Sequence, residues 1–107
     1  MNYSLRPETA AAFRGKTVLL TGSAGFLGKH FTRALEECGA IVTGMDVANG
    51  GRDVRSRSEW DCLPPQALLI HAAGIASPSH YHARPLDALD ACINGVRNAL
   101  DYCRQHG

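Results

Sequence analysis

The sequence predicts an α/β chain built on a small parallel sheet, and two observations carry that prediction. Short apolar runs rich in leucine and β-branched residues alternate with helical patterns, in the order strand, helix, strand, loop, strand, helix. A glycine-rich turn, TGSAGFLG, joins the first run directly to the first helix. Because right-handed crossovers dominate parallel sheets, the second and third strands are expected on either side of the first. The expected sheet has about three strands in the order 2-1-3 in chain numbering, with helices flanking it.

Taken in order, residues 1–15 read as an N-terminal arm, since no periodic apolar face develops before Gly15, and residues 16–107 read as one domain. Thr17 to Thr21 is a short buried strand. From Phe26, the apolar positions Phe26, Leu27, Phe31, Ala34, Leu35 and Cys38 recur at helical spacing, and Gly39 follows as a left-handed terminator. Residues 40–45, AIVTGM, form a second buried strand that ends at Asp46. The stretch VANGGRDVRSRSEWDCLPPQ holds glycines, charges and the Pro64-Pro65 pair, which exclude a long regular element. Residues 67–74, ALLIHAAG, are a third strand leading into a loop, SPSHYHAR. Pro85 opens the last helix, where its missing N–H costs nothing. Leu86, Leu89, Cys92, Ile93, Val96, Leu100 and Cys103 line one face of that helix.

Composition narrows the function classes. The chain has 107 residues, one small domain's worth, and its 11 basic and 10 acidic residues leave a formal charge of +1. They are well mixed, so there is no basic stripe to follow nucleic acid. No apolar run approaches the roughly 20 residues that span a bilayer, and the first residues lack the apolar core of a signal peptide. A cytoplasmic protein with no membrane partner is expected. Cys38, Cys62, Cys92 and Cys103 contain no CxxC pair and are expected as free thiols.

The glycine turn carries the chemistry. In a strand-turn-helix unit the first glycine permits the tight bend, the second lets the backbone approach a pyrophosphate, and the third allows close helix packing. Gly22, Gly25 and Gly28 hold those positions, and the helix dipole adds attraction for an anion at the amides. Alone, the spacing also fits a glycine turn with no ligand. The preceding strand, the following helix and an acid at the end of the next strand together favour a dinucleotide. That acid is Asp46, 18 positions beyond Gly28, near the spacing of about 20 expected for a ribose-binding carboxylate. A carboxylate there accepts from both ribose hydroxyls and repels a 2′-phosphate, so NAD is the expected cofactor, with nearby Arg52 softening the preference. No Gly-Lys-Ser/Thr follows, so the turn is not a Walker loop.

The TGxxGFxG spacing resembles extended short-chain dehydrogenase/reductases, the NAD-dependent epimerase/dehydratase family acting on nucleotide sugars. Residues 70–85, IHAAGIASPSHYHARP, resemble the corresponding stretch of UDP-glucuronate decarboxylases through His71, Ala72, Ala73, Ser77, Pro78, Tyr81 and Pro85. Residues 95–100, GVRNAL, are similar to the family's glycine and asparagine on the next helix. The resemblance spans residues 16–107 and implies a truncated Rossmann NAD-binding domain. It implies that Gly22, Ser23, Ala24, Gly25, Phe26, Leu27 and Gly28 hold the pyrophosphate and Asp46 the adenosine ribose. By the same resemblance Asp53 and Val54 touch adenine, Ala72, Ala73 and Gly74 line the nucleotide, and Ser77 and Tyr81 face the nucleotide-sugar substrate. Ser77-Pro78 reads equally as a turn, and Tyr81 as a packed aromatic. His80 and His82 lack a third ligand, so no metal site is expected. His71 reads as a packed strand residue.

The chain departs from the family in three places. Only six residues lie between Asp46 and Asp53, too few for the usual helix and returning strand at about 3.3–3.6 Å per residue. One sheet strand is therefore expected to be missing or a stub. The family's helix asparagine falls on Cys92; Asn94 is displaced by two positions, about 200° around a helix. The family's proton-transfer tyrosine and lysine, Tyr-x-x-x-Lys, do not occur: Tyr3, Tyr81 and Tyr102 have no lysine four residues later. No catalytic residue is assigned and no turnover is expected from these residues alone. The sequence thus reads as the NAD(H)-binding portion of a nucleotide-sugar epimerase, dehydratase or decarboxylase. The alternatives are a non-catalytic nucleotide-binding or self-assembling truncated relative, and a scaffold without nucleotide affinity. A bare third-strand edge or an apolar helix face is expected to favour a homo-oligomer.

Overall fold

The first strand, β1 (Thr17–Thr21), is the axis of the molecule: Val18, Leu19, Leu20 and Thr21 are wholly inaccessible. The structure, a computed structural model, describes residues 5–48, 51–74 and 78–107. Around β1 are α1 (Pro7–Phe13), α2 (Phe26–Glu37), β2 (Ile41–Met45), α3 (Arg57–Asp61), β3 (Leu68–His71), α4 (Pro78–Ala83) and α5 (Pro85–Asp90). A π-helical turn, Ala91–Gly95, carries α5 without a break into α6 (Val96–His106). Both β2 and β3 pair with β1 in parallel, in the order β2-β1-β3, with Thr21 opposite Met45 on one side and His71 on the other. This is the 2-1-3 sheet with flanking helices that the alternation predicts.

Alternate residues of β1 feed two cores. Val18 packs with Leu35, Ala40 and the half-buried Phe13, Val42 and Ile70 on the α2 side. Leu19 packs with Met45, Val54, Trp60, Leu63, Ala99 and Tyr102 on the α6 side. Gly39 ends α2 at φ +88°, as its sequence position predicts.

Several expectations need correction. β2, expected as a buried strand, is a sheet edge with Ile41 exposed, having no outer neighbour among the described residues; β3 forms the other edge, the expected bare third-strand edge, with Leu68 exposed. No strand lies between β2 and α3 among the described residues. The short connection instead doubles back at Gly51, where a Cβ would lie 1.8 Å from the Asp46 carbonyl oxygen. SPSHYHAR is not all loop: residues 78–83 form α4, opened by Pro78 at its first position. Within the N-terminal segment, which reads as polar to weakly helical, residues 7–13 form a short helix, likewise opened by a proline.

The apolar stripe of α2 is only partly buried. Leu35 and Cys38 are inside, whereas Phe26, Leu27 and Phe31 face out. On the last helix the apolar stripe lies wholly outside. Leu86, Leu89, Cys92, Ile93, Val96, Leu100 and Cys103 share a face, but that face is exposed, and the buried residues are Ala91, Gly95, Asn98, Ala99 and Tyr102. The reason is steric. A Cβ on Gly95 would already stand 3.0 Å from the Val54 side chain, so only small residues let the helix approach that close.

Asn98 shows what the approach secures. Its amide donates to the Val54 carbonyl at 3.0 Å, and the Trp60 indole N–H donates to the same oxygen at 2.8 Å, all in buried surroundings. The Val54 segment is thereby fixed from two elements. Thr17 and Thr21 perform a similar service at the ends of β1: the Thr17 hydroxyl accepts from the Ala67 N–H, and that of Thr21 accepts from the Ala72 and Ala73 N–H groups. With its acceptor positions so used, the Thr21 hydroxyl donates to His71 Nδ1 at 2.7 Å. The imidazole proton then sits on Nε2, which is buried and finds no acceptor among the described residues.

Two outcomes follow. Asn98→Ala leaves the Val54 carbonyl its Trp60 partner, so we expect a loss near the lower end for a buried hydrogen bond, about 1 kcal/mol, read as a lower denaturant midpoint at unchanged slope. Burial lowers the His71 pKa, so the unfolded chain binds more protons there than the folded one. The contribution of His71 is therefore complete above about pH 7 and lost as pH falls through the ordinary histidine range near 6.5. Thermal unfolding of His71→Gln should show a shallower decline between about pH 7.5 and 5.5 than the parent; parallel declines would refute the assignment. The lowered carboxyls of Asp53 and Asp87 act in a separate window, below about pH 4.

Candidate nucleotide-binding site

The site is built where β1 bends into α2. Gly22 stands at φ +71°, in the left-handed region, and its N–H donates to the Met45 carbonyl at 2.7 Å. A Cβ there would lie 2.7 Å from the Ala72 carbonyl group. One on Gly28, buried under the bend, would lie 1.9 Å from the Gly22 oxygen. These two glycines are demanded by the packing of the chain against itself. Gly25 is different: it is exposed, has an ordinary φ of −75°, and its Cβ would meet only the Gly22 oxygen, at 3.3 Å. That contact asks a shift of a few tenths of an ångström, far less than the overlaps at Gly22 and Gly28.

Gly25 is also the N-cap of α2 and supplies no capping side chain. The first amides of a helix have no intrahelical acceptors, and no acid in the first turn of α2 offers them one. Positive partial charge is thus left at the bend, where an anion is stabilised by the amides and the helix dipole.

Beside the bend lies a cleft of about 210 Å³. Gly22 and Gly25 form one side of it, Asp46 and the Arg52–Arg55 segment another, and Ala72 to Gly74, following β3, a third. Of the residues singled out in the sequence, Gly22, Gly25, Asp46, Arg52, Asp53, Val54, Ala72, Ala73 and Gly74 are brought together here. Ser23 and Ala24 line a shallower trough on the other side of the turn, where Ser23 packs against Gly44. Phe26 and Leu27 project from the start of α2 as exposed side chains, away from the cleft lining. Gly28 lies beneath the bend rather than on the cleft. Ser77 is outside the described residues; Tyr81 is on α4, and its side chain is likewise outside them.

Asp46 is held in place by backbone alone. One carboxylate oxygen accepts from the Ala24 N–H at 3.0 Å and the other from the Ala48 N–H at 2.9 Å. A carboxylate has about four acceptor positions, so two remain for a ligand's hydroxyls. The Ala24 bond ties the carboxylate to the glycine turn itself.

The far wall is an ion network that the sequence reading did not anticipate. Arg55 binds both oxygens of Asp53, at 2.8–3.1 Å, and reaches Asp87 of α5 at 3.0 Å. Hydrogen bonds from Arg55 hold the Asp53 carboxyl below the usual carboxylate range against the opposing effect of burial, and Arg84 does the same for Asp87. Arg55, Arg84 and Asp87 all line the cleft. Their only sequence signal is the density of alternating charge at 52–61 and 84–90, which says nothing of pairing across 32 residues. Asp53 thus lies at the cleft with its carboxylate already engaged by Arg55. The Val54 carbonyl is turned away, into the Trp60–Asn98 clasp.

Comparison with known proteins bears on this arrangement. Residues 18–107 match the model of the NAD dependent epimerase/dehydratase family. The chain is 31% identical to UDP-glucuronic acid decarboxylase 1 of Danio rerio, over 86% of this chain and 25% of that enzyme. Its fold superposes on Epimerase Mth375 of Methanothermobacter thermautotrophicus with a TM-score of 0.80 at 21% identity, over 94% of this chain and 35% of that one. It also superposes on UDP-glucose 4-epimerase of Thermus thermophilus, solved in complex with NAD, with a TM-score of 0.73 at 27% identity, over 85% of this chain and 34% of that one. The chain therefore spans a quarter to about a third of the length of these relatives. The parallel sheet, the glycine bend and the matched 18–107 segment together identify the chain as a member of the NAD dependent epimerase/dehydratase family.

Proposed function

We propose that these residues are the NAD(H)-binding portion of a nucleotide-sugar epimerase, dehydratase or decarboxylase, acting in the cytoplasm. The carrying observation is Gly25: an exposed glycine on which packing makes the smallest demand of the three, at an uncapped helix start, on a cleft shared with a backbone-anchored acid. In this reading the diphosphate rests on the α2 amides, Asp46 accepts from the adenosine ribose, and the cleft between Arg52–Val54 and Ala72–Gly74 takes the nucleoside. When bound, NAD supplies a hydride acceptor. The chain's own contribution is to bind and orient it, because the family's Tyr-x-x-x-Lys pair is not among these residues. Ser77 and Tyr81 are proposed to face the sugar.

The outward stripe of the last helix favours a second element of the reading, self-association. Leu86, Leu89, Ile93, Val96 and Leu100 are 40–79% exposed on a helical rod about 33 Å long at 1.5 Å per residue. We propose a homodimer through this stripe.

Calorimetric titration of the 107-residue chain should give heat with NAD. Gly25→Val should abolish that heat while its thermal midpoint stays within a few degrees of the parent. Gly28→Ala should instead lose roughly 1–3 kcal/mol, a fall on the order of 5–15 °C, because its new methyl has nowhere to go. NAD heat retained in Gly25→Val would remove the assignment of the turn. For the assembly, sedimentation should show a dimer, and Ile93→Glu with Leu100→Glu a folded monomer; an unchanged sedimentation coefficient would exclude this face.

A further inference from the structure

Three arginines, Arg52, Arg55 and Arg84, line the cleft, and each is engaged by a carboxylate. The strength of engagement differs. Arg55 has both oxygens of Asp53 and one of Asp87, with its side chain largely covered. Arg84, paired with Asp87 alone, stands on the α5 side of the cleft. Arg52 stands next to the residue that folds back onto Asp46: a Cβ on Gly51 would lie 1.8 Å from the Asp46 carbonyl oxygen. Of the three, Arg52 is therefore nearest along the chain to the ribose-binding acid proposed above. Its guanidinium is drawn the other way, toward α3, where Glu59 accepts from it at 3.2 Å through the carboxylate and at 3.4 Å through the carbonyl.

A nucleotide with a 2′-phosphate brings two negative charges close to Asp46. Binding it would need a cation to offset that repulsion, and an arginine beside the acid is the group suited to it. From this we infer that Glu59 is a specificity-determining residue: by holding Arg52 against α3, it draws aside the guanidinium of the cleft arginine nearest in sequence to Asp46 and so keeps the cleft selective for NAD. The inference rests on the NAD-binding reading above. It assigns the discrimination to two residues, with Asp46 repelling the phosphate and Glu59 removing its counter-charge. The Arg52–Glu59 pair is suited to this task because its side chains are 40% and 38% exposed. Solvent screens such a pair, so removing the carboxylate's charge loosens the arginine, leaving it the longer contact to the Glu59 main-chain carbonyl, and strands no buried charge. Releasing Arg55 would instead strand Asp53 and disturb the far wall.

The test compares NAD and NADP by calorimetry on the parent, Glu59→Gln, and Glu59→Gln with Arg52→Ala. Glu59→Gln should leave NAD affinity within about twofold and tighten NADP, narrowing the NAD-over-NADP ratio by roughly three- to fivefold, the scale of an exposed ion pair. The double variant should restore the parent ratio, because Arg52 is the proposed acceptor. An unchanged ratio in Glu59→Gln with NAD binding intact overturns the inference. So does a shift that persists without Arg52, which would reflect only the lost negative charge. Absence of NAD heat from the parent is a distinct result, which overturns the NAD-binding reading and removes the ground of this one.

Discussion

The carbonyl group of Gly22 is the point on which the rest of the structure depends. Its oxygen lies where a Gly28 side chain would be, and its residue sits where a Cβ would strike the Ala72 backbone. Both approaches are possible only without side chains, and both are needed for one reason. β1 must turn into α2 within the few residues between Thr21 and Phe26 while β3 runs alongside. Gly22 meets that demand at φ +71°, which other residues adopt only with strain, and the Met45 carbonyl receives its N–H, so β2 is gathered to the same point. Three strand ends therefore converge on one peptide group. The cleft is the space left beside it.

The same economy shapes the opposite wall. A cleft between a sheet and a short connection keeps its shape only if the connection is held still, and the seven residues from Asp46 to Arg52 are too few to build a helix that could do so. The last helix supplies the restraint instead. Gly95 and Asn98 approach Val54 closely, Trp60 shares its carbonyl, and Arg55 ties the loop to Asp87. Because small residues are required for that approach, the larger apolar residues of the helix are turned outward. Tight packing on one face thus creates the exposed stripe on the other, and site rigidity and the proposed self-association share one cause.

The electrostatics of the cleft are balanced rather than basic. Arginines and aspartates alternate around its rim, each arginine drawn to a carboxylate. Asp46 stands apart from this pattern because backbone N–H groups, not guanidinium groups, hold both its oxygens. Its carboxylate consequently lies on the cleft without a guanidinium partner among the described residues, while the start of α2 carries unshielded positive partial charge.

Much of this was legible in the sequence, because periodicity and glycine spacing act locally. Alternation of apolar runs determined the parallel sheet and its 2-1-3 order, the GxxGxxG spacing located the bend, and the six residues after Asp46 foretold the missing strand. Pattern alone could not decide which face of a helix meets the sheet. It grouped Leu86, Leu89, Ile93, Val96 and Leu100 on one face correctly, but burial was decided by how close Val54 lies, a distance between residues about 40 positions apart. Only the folded chain gives the three glycines their distances: a Cβ on Gly22 or Gly28 would strike backbone at 2.7 and 1.9 Å, whereas one on Gly25 would meet the Gly22 oxygen at 3.3 Å. Charge pairing was hidden for the same reason: Arg55 meets Asp87 across 32 positions, and such a meeting is fixed by the path of the chain, not by its neighbours in sequence.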